Sequence, residues 1–302
     1  MPTFVTGPVH VSVPATSANL GPGFDSLGLA LDFRDEVTAQ VAGSTVDITV
    51  RGAGEEEVPL DESHLVYRAM CRAFEEMGCK VPGIRLRCEN RIPHGRGLGS
   101  SSAAIVAGIC AARGLVAGGS LLMDDEAVFT LAASLEGHPD NVAPAFFGGF
   151  TIAGSGAEQA FATSVSVDPR VAVVVFVPPE PVETKVARGL LPDLVPHADA
   201  AANAGRAALL VAALSRQPEL LLAATEDRLH QDYREPAMPQ TLRLVRSLRA
   251  DGVPAVVSGA GPTVLAFSDA SNQAAIGARV PRGWQVMALS VDLDGARVHV
   301  GG

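Results

Sequence analysis

The chain has 302 residues, 47% of them hydrophobic and 19% charged, which suits a packed globular protein with room for a large core in two lobes rather than a disordered one. Lysine plus arginine number 23 against 33 acidic residues, a formal charge of −10. That balance excludes a general electrostatic attraction to nucleic acid or anionic membranes, so no nucleic-acid or membrane partner is expected and any anionic ligand must be held by a local site.

The beginning, "MPTFVTGPVHVSVPATSANL", shows no basic segment followed by an apolar run, so no signal peptide is expected. The alternation in "VHVSVPA" and "VDITVRG" predicts strands. "SHLVYRAMCRAFEEMG" predicts a helix capped by Ser63 and stopped at Gly78. Ile84, Leu86 and Cys88 alternate on one face of "IRLRCENRIP", a strand leading into "PHGRGLGSSSAA", Pro93–Ala104. An Ala-rich helix follows in "SSAAIVAGICAARGLVAGG", then a second in "DDEAVFTLAASLEG", capped by Asp124 or Asp125 and closed at Gly137. "FFGGFTIAGSG" predicts a strand and a Gly/Ser connection, where a second half begins near residue 155. There "VAVVVFV", Val171–Val177, is too short to span a bilayer and suits a buried strand. Helices are predicted over Asp199–Ser215, Pro218–His230 and Pro239–Ala250, and strands in "VPAVVSGAGPTVLAFS" and "WQVMALSVDL". The order is not a regular βαβα alternation, so an α+β fold is expected. Cys71, Cys79, Cys88 and Cys110 have neither metal-ligand spacing nor a CxxC pair, so they read as reduced thiols of a cytoplasmic protein.

A strand, a glycine loop and a helix start form an anion site: glycines let backbone N–H groups converge, and the helix N-terminus adds about half a positive charge. A Walker A loop is excluded, because Gly99 is followed by Ser100 and the chain's only lysines are Lys80 and Lys185. The dinucleotide fingerprint fails as well, since the third glycine falls on Ser100 or Ser102. Taken alone, the stretch also reads as a tight turn capped by Ser100.

"PHGRGLGSSSAA" resembles the phosphate loop of the GHMP kinase superfamily, with Gly97, Leu98, Gly99, Ser100, Ser101 and Ala103 on its core pattern. Two further stretches, "PATSANLGPGFDSLGLAL" and "LEGHPDNVAPAFFGGF", resemble the homoserine kinases of that superfamily, and "VSGAGPTVLAF" resembles the third superfamily motif; with the loop they lie in order from residue 14 to 267. Each piece alone has a plainer reading. Asn19, Gly21 and Gly23 could form a turn, Glu136 could be a helix-end surface residue, and His138 a loop histidine.

The resemblance implies a two-lobed GHMP kinase fold, with a ribosomal-protein-S5-domain-2-like nucleotide lobe over 1–155 and a ferredoxin-like lobe over 156–302. It implies ATP and Mg²⁺ as cofactors and L-homoserine as acceptor, phosphorylated on its side-chain hydroxyl toward threonine. Pro93, His94, Gly95, Arg96, Gly97, Leu98, Gly99, Ser100, Ser101, Ser102 and Ala103 would wrap the ATP phosphates, and Ser101 with Glu136 would hold the metal. Asp25, beside Asn19, matches the family residue for the ammonium. Arg188 and Arg234 match the arginines for the carboxylate, and Thr184 and His138 would complete the pocket. In "HPDN", Asn141 is expected at the acceptor hydroxyl, Asp140 in support, and Arg188 stabilising charge. Members are often dimers, so a homodimer is compatible with the resemblance. A sister GHMP kinase for mevalonate, a sugar or shikimate would have no use for Asp25 as an ammonium site. A regulator that kept the fold would have no use for the Ser101–Glu136 pair.

Overall fold

A computed structural model describes residues 3–156 and 159–301. The chain opens with β1 (Val9–Ala18), β2 (Leu27–Val41), β3 (Val46–Gly52), α1 (Leu65–Glu76) and β4 (Ile84–Asn90). It continues through α2 (Ser100–Leu115), α3 (Gly119–Leu122), α4 (Asp125–Glu136), α5 (Pro139–Phe147) and β5 (Phe150–Ser155). Next come β6 (Ala160–Val165), β7 (Ala172–Val177), α6 (Thr184–Arg188), α7 (His197–Ser215) and α8 (Leu221–Ala224). The series is completed by α9 (Pro239–Ala250), β8 (Ala255–Val257), β9 (Val264–Ser268), α10 (Gln273–Gly277), β10 (Gln285–Ser290) and β11 (Arg297–Val300).

Two sheets carry two lobes. The larger has the order β11-β1-β2-β4-β3, with β5 paired to β2 and β6 to β5; the smaller is β10-β7-β9-β8. Among the described residues, only β3–β4 pairs in parallel. The last strand returns to the first, Val300 opposite Val9, so the end of the chain closes the edge of the opening sheet.

β7 shows why its sequence is a continuous apolar run instead of an alternating one. Val173, Val175 and Val177 enter the large core, while Val174 and Phe176 face a second core with Leu242, Leu248 and Trp284. A strand buried on both faces has no polar side to display.

The caps of α4 are as expected: Asp124 accepts the N–H of Ala127 at 2.9 Å, and Gly137 ends the helix at φ 89°. Two other expectations fail. Ser63 does not cap α1, because its N–H and hydroxyl both donate to Asp61, leaving His64 at the cap position without a side-chain bond. Likewise Ser100 is the first residue of α2 and Gly99 occupies the cap. The helix over Pro218–His230 is also broken, into a 3₁₀ turn at Pro218–Leu220, α8, and a loop. There the Thr225 hydroxyl bonds back to Leu221 O, and Asp227 takes the N–H groups of Leu229, His230 and Gln231. Side chains that satisfy nearby backbone groups compete with the helix ladder, and here they win. The four cysteines are free thiols.

Candidate active site

The loop between β4 and α2 is built around three glycines in the left-handed region: Gly95, Gly97 and Gly99, at φ 63°, 74° and 71°. Space forbids side chains as firmly as the dihedrals do. A Cβ on Gly97 would lie 2.2 Å from Ser258 O, and one on Gly99 1.9 Å from Thr16 Oγ1. The loop is held from two sides. Thr16 N donates to Leu98 O at 3.0 Å from β1, and Ser258 Oγ donates to Gly97 O at 2.6 Å from the glycine turn between β8 and β9. Gly99→Ala is expected to destabilise the fold by at least about 1–2 kcal/mol from the backbone alone. The clash with Thr16 adds to that, and denaturant unfolding measures the sum.

At the mouth of the loop, Ser101 Oγ and Ser102 Oγ donate to the two oxygens of Glu136 at 2.7 and 2.9 Å. Opposite it runs the turn between β1 and β2. Asn19, Leu20 and Asp25 there are non-glycine residues at φ 67°, 50° and 53°. Such strain costs on the order of 1–3 kcal/mol each and clusters at functional sites. Asn19 fixes the turn, accepting the N–H of Asp25 at 2.9 Å and donating to Gly259 O at 2.8 Å. Asp25 receives a two-pronged contact from Arg188 of α6, at 2.7 and 3.1 Å.

Arg234 is 1% exposed. Its Nη1 donates to Gly259 O at 3.1 Å and to His230 Nδ1 at 3.0 Å, and its Nε has no partner. Burial, and then repulsion from Arg188, pull this guanidinium down to about 10. His230, fully buried, has burial pressing its pKa down; Nδ1 then accepts from Arg234 while Nε2 donates to Gly21 O at 2.8 Å. The Phe24 ring lies within 6 Å of both Arg188 and Arg234 guanidinium carbons, at 5.7 and 5.6 Å. On the remaining wall, His138 Nδ1 and Asp140 Oδ1 are 3.0 Å apart, and Thr16 Oγ1 donates to Asn141 Oδ1 at 2.8 Å.

These walls enclose a cavity of about 230 Å³. A second cavity of about 280 Å³ touches it at Ser100 and Ser101. Its lining mixes Val37, Val58 and Ala107 with Asp35, His64 and Asn90. Burial pushes the Asp35 carboxyl up from 3.8 to about 6, although it accepts the N–H groups of Arg91 and Ile92 at 2.6 and 2.8 Å. The folded state therefore holds this proton more tightly than the unfolded chain. Asp35 weakens the fold as pH rises from 3.8 to about 6, with the full penalty above that. Asp35→Asn keeps an acceptor for both N–H groups without the charge. It is expected to melt higher than the parent at pH 8, the difference shrinking toward pH 4.

The "GHMP kinases N terminal domain" family matches residues 64–149, and "GHMP kinases C terminal" matches residues 201–285. A homoserine kinase of Streptomyces coelicolor is 55% identical over 299 residues, covering 98% of this chain and 96% of that protein. One from Clavibacter michiganensis is 52% identical, covering 97% and 94%. This chain belongs to the homoserine kinases of the GHMP kinase family. A crystal structure of homoserine kinase from Cytophaga hutchinsonii aligns with a TM-score of 0.86 at 28% identity, covering 97% of this chain and 98% of that one. Mevalonate diphosphate decarboxylase from Staphylococcus aureus, at 14% identity and a TM-score of 0.67, shares the fold.

For this homoserine kinase family member, the cavity collects most of the residues singled out from the sequence. Asn19, Gly95, Gly97, Gly99, Ser100 and Ser101 line it from the loops. Glu136, His138, Asp140, Asn141, Thr184, Arg188 and Arg234 line it from the helices and their flanks. Asp25 is held by Arg188 and is not on the lining. Pro93, His94, Arg96, Leu98, Ser102 and Ala103 belong to the loop and helix start without facing this cavity; His94 and Ala103 border the second one. Sequence reasoning missed Thr16, Phe24 and His230. Thr16 and Phe24 lie inside the recognised "PATSANLGPGFD" stretch, and His230 opens "HQDYREP", the stretch that carries Arg234; these are the signals that point to them.

Proposed function

We propose that the chain transfers the γ-phosphoryl group of ATP to the side-chain hydroxyl of L-homoserine, giving O-phospho-L-homoserine and ADP toward threonine. The observation that carries the acceptor assignment is the buried, half-used guanidinium of Arg234. Its Nε has no partner, and the residue lines the same cavity as the phosphate loop. A buried cation without a counter-anion is costly, and a substrate carboxylate supplies one in bidentate geometry.

The zwitterion fits the charge pattern as an exchange. Asp25 and Arg188 neutralise each other at 2.7 Å. An incoming ammonium takes Asp25 while the carboxylate takes Arg188 and Arg234, so net charge in the pocket is unchanged. Thr184 and His138 border this end, and the hydroxyl end points toward Asn141 and the loop. Within the loop, Gly95 to Ser101 offer main-chain N–H groups to the phosphates, backed by the start of α2. The adenosine end goes to the second, more apolar cavity, which shares Ser100 and Ser101.

Mg²⁺ fits the donor set of Ser101 and Glu136, a hydroxyl and a carboxylate that already lie 2.7 Å apart at the loop mouth. When bound, it neutralises charge on the β- and γ-phosphates. Residues 1–155 are proposed as the nucleotide domain and 156–302 as the second domain, with β6 and β11 of the second stretch crossing back to complete the first lobe's sheet. The two family matches on either side of that division support it. A cytoplasmic homodimer acting on small molecules, with no nucleic-acid or membrane partner, is the proposed setting. The charge of −10 argues against a nucleic-acid or anionic-membrane partner and the four free thiols favour a reducing compartment; no helix among the described residues is long and apolar enough to cross a membrane. The test is a panel of L-homoserine, mevalonate, galactose and shikimate with ATP and Mg²⁺, followed by ADP release. Faster turnover of any acceptor other than L-homoserine would sink the assignment.

A further inference from the structure

Arg96 sits in the middle of the phosphate loop, yet its guanidinium is absent from the cavity lining. Its Nη1 donates to His94 O at 2.9 Å, its Nε to Pro178 O at 3.1 Å, and its Nη2 to Pro179 O. One step further, Val182 N donates to Gly95 O at 3.1 Å. These bonds tie the loop to the segment 178–183, which runs directly into α6 and so carries Thr184 and Arg188.

The segment needs such a tie. Pro178, Pro179 and Pro181 have no N–H to donate, so it has little capacity to form its own ladder. Glu180, Pro181, Glu183, Thr184, Lys185 and Val186 are exposed, so its footing on the core is limited to Pro178, Val182 and, in α6, Ala187. What it does present is consecutive carbonyls, and a planar guanidinium with fixed forked donors matches two of them at once.

We propose that Arg96 is a positioning residue: it couples the phosphate loop to the strap that places Arg188, so that nucleotide on the loop tightens the acceptor end of the site. The proposal rests on the assignment of ATP to the loop and of the amino-acid acceptor to Arg188. Linkage makes the coupling reciprocal, and couplings of this kind change affinity by about 5- to 150-fold. A rigid loop presenting the guanidinium holds the strap; a loop free to move lets it drift.

The test compares the parent with Arg96→Ala and the milder Arg96→Lys, using a non-hydrolysable ATP analogue with Mg²⁺. Amide hydrogen exchange is read over residues 178–190, and the affinity of the analogue without L-homoserine and steady-state KM values for ATP and L-homoserine are measured beside it. In the parent, the analogue is expected to slow exchange in the strap. In Arg96→Ala the analogue alone binds within about threefold of the parent but no longer slows the strap; KM for L-homoserine rises about 5- to 150-fold and, by the same linkage, KM for ATP at saturating L-homoserine rises with it. Arg96→Lys falls between, because an ammonium does not reproduce the fork. Strap protection that persists in Arg96→Ala overturns the coupling. So does weakened binding of the analogue in the absence of L-homoserine, which makes Arg96 a phosphate ligand, and so does a KM for L-homoserine that stays unmoved. Absence of L-homoserine turnover by the parent would defeat the acceptor assignment. The exchange measurement decides the coupling in that case, since it needs only the nucleotide.

Discussion

Arg234→Ala is expected to lower kcat/KM for L-homoserine by about 30- to 4000-fold, with KM for ATP nearly unchanged. That range is the cost of removing one partner from a desolvated, hydrogen-bonded charge pair, about 2–5 kcal/mol. Arg234 merits the upper part of it because the residue is 1% exposed and screening by water is weak. It also stands on a relay. His230 accepts from it on one nitrogen and donates to Gly21 O on the other, so the guanidinium is aimed by the same turn that presents Asp25. Arg234→Lys keeps the charge but loses the fork, and should recover part of the loss. Asp25→Asn should act in the same direction and more weakly, since that side chain is 37% exposed and its substitution frees Arg188 for the carboxylate. Steady-state kinetics with both substrates varied, beside a melting curve, separates these effects from misfolding. Equal loss of nucleotide binding in Arg234→Ala would move that arginine to the phosphate site.

What the sequence made legible is what local physics decides. The glycine loop declares itself because Gly95, Gly97 and Gly99 each need a positive φ, and the loop motif is one unbroken run. The Asp124 cap and the Gly137 stop obey helix-end chemistry, and the six apolar residues of β7 announce a strand buried on both faces. The illegible parts depend on distant partners. β11 pairs with β1 across almost the whole chain, and four residues with modest alternation give no hint of it. The break in Pro218–His230 is caused by Asp227 folding back on three N–H groups, which competes with helix only in this context. In the site, Asp25 and Arg188 were each visible, but their contact spans 163 positions and could not be read from either motif. A separation of 125 positions hid the bond from Thr16 to Asn141. Arg96 shows the converse: its place in the loop suggested a phosphate contact, and its side chain turns to the carbonyls of Pro178 and Pro179 instead.

Asn141→Ala is expected to lower kcat sharply, whereas Asp140→Asn should lower it by less than about tenfold, well below the 10²–10⁴-fold that a true general base supplies. The two residues are neighbours in the first turn of α5, and their surroundings assign them different work. Thr16 donates to Asn141 Oδ1, which leaves the amide Nδ2 as the free end of a side chain lining the cavity. An amide N–H can hold the oxygen of the acceptor hydroxyl, and cannot usefully take its proton. Asp140 is 2% exposed, and its Oδ1 is already engaged by His138, whose pKa that hydrogen bond raises. The carboxylate thus serves to fix the imidazole at the edge of the pocket. Phosphoryl transfer through a loose transition state tolerates the lack of a base, because the hydroxyl loses its proton late and a γ-phosphate oxygen can receive it. Rate then depends on how well Asn141, the loop amides and Arg188 hold the reacting groups in line. For Asn141→Ala the loss should fall on kcat more than on KM for L-homoserine, since the carboxylate and ammonium contacts remain. Single-turnover measurement of both variants, with melting curves and substrate affinities alongside, tests the division. A loss of 10²-fold or more in kcat for Asp140→Asn, with stability and affinity intact, would make Asp140 the base and return Asn141 to a structural role.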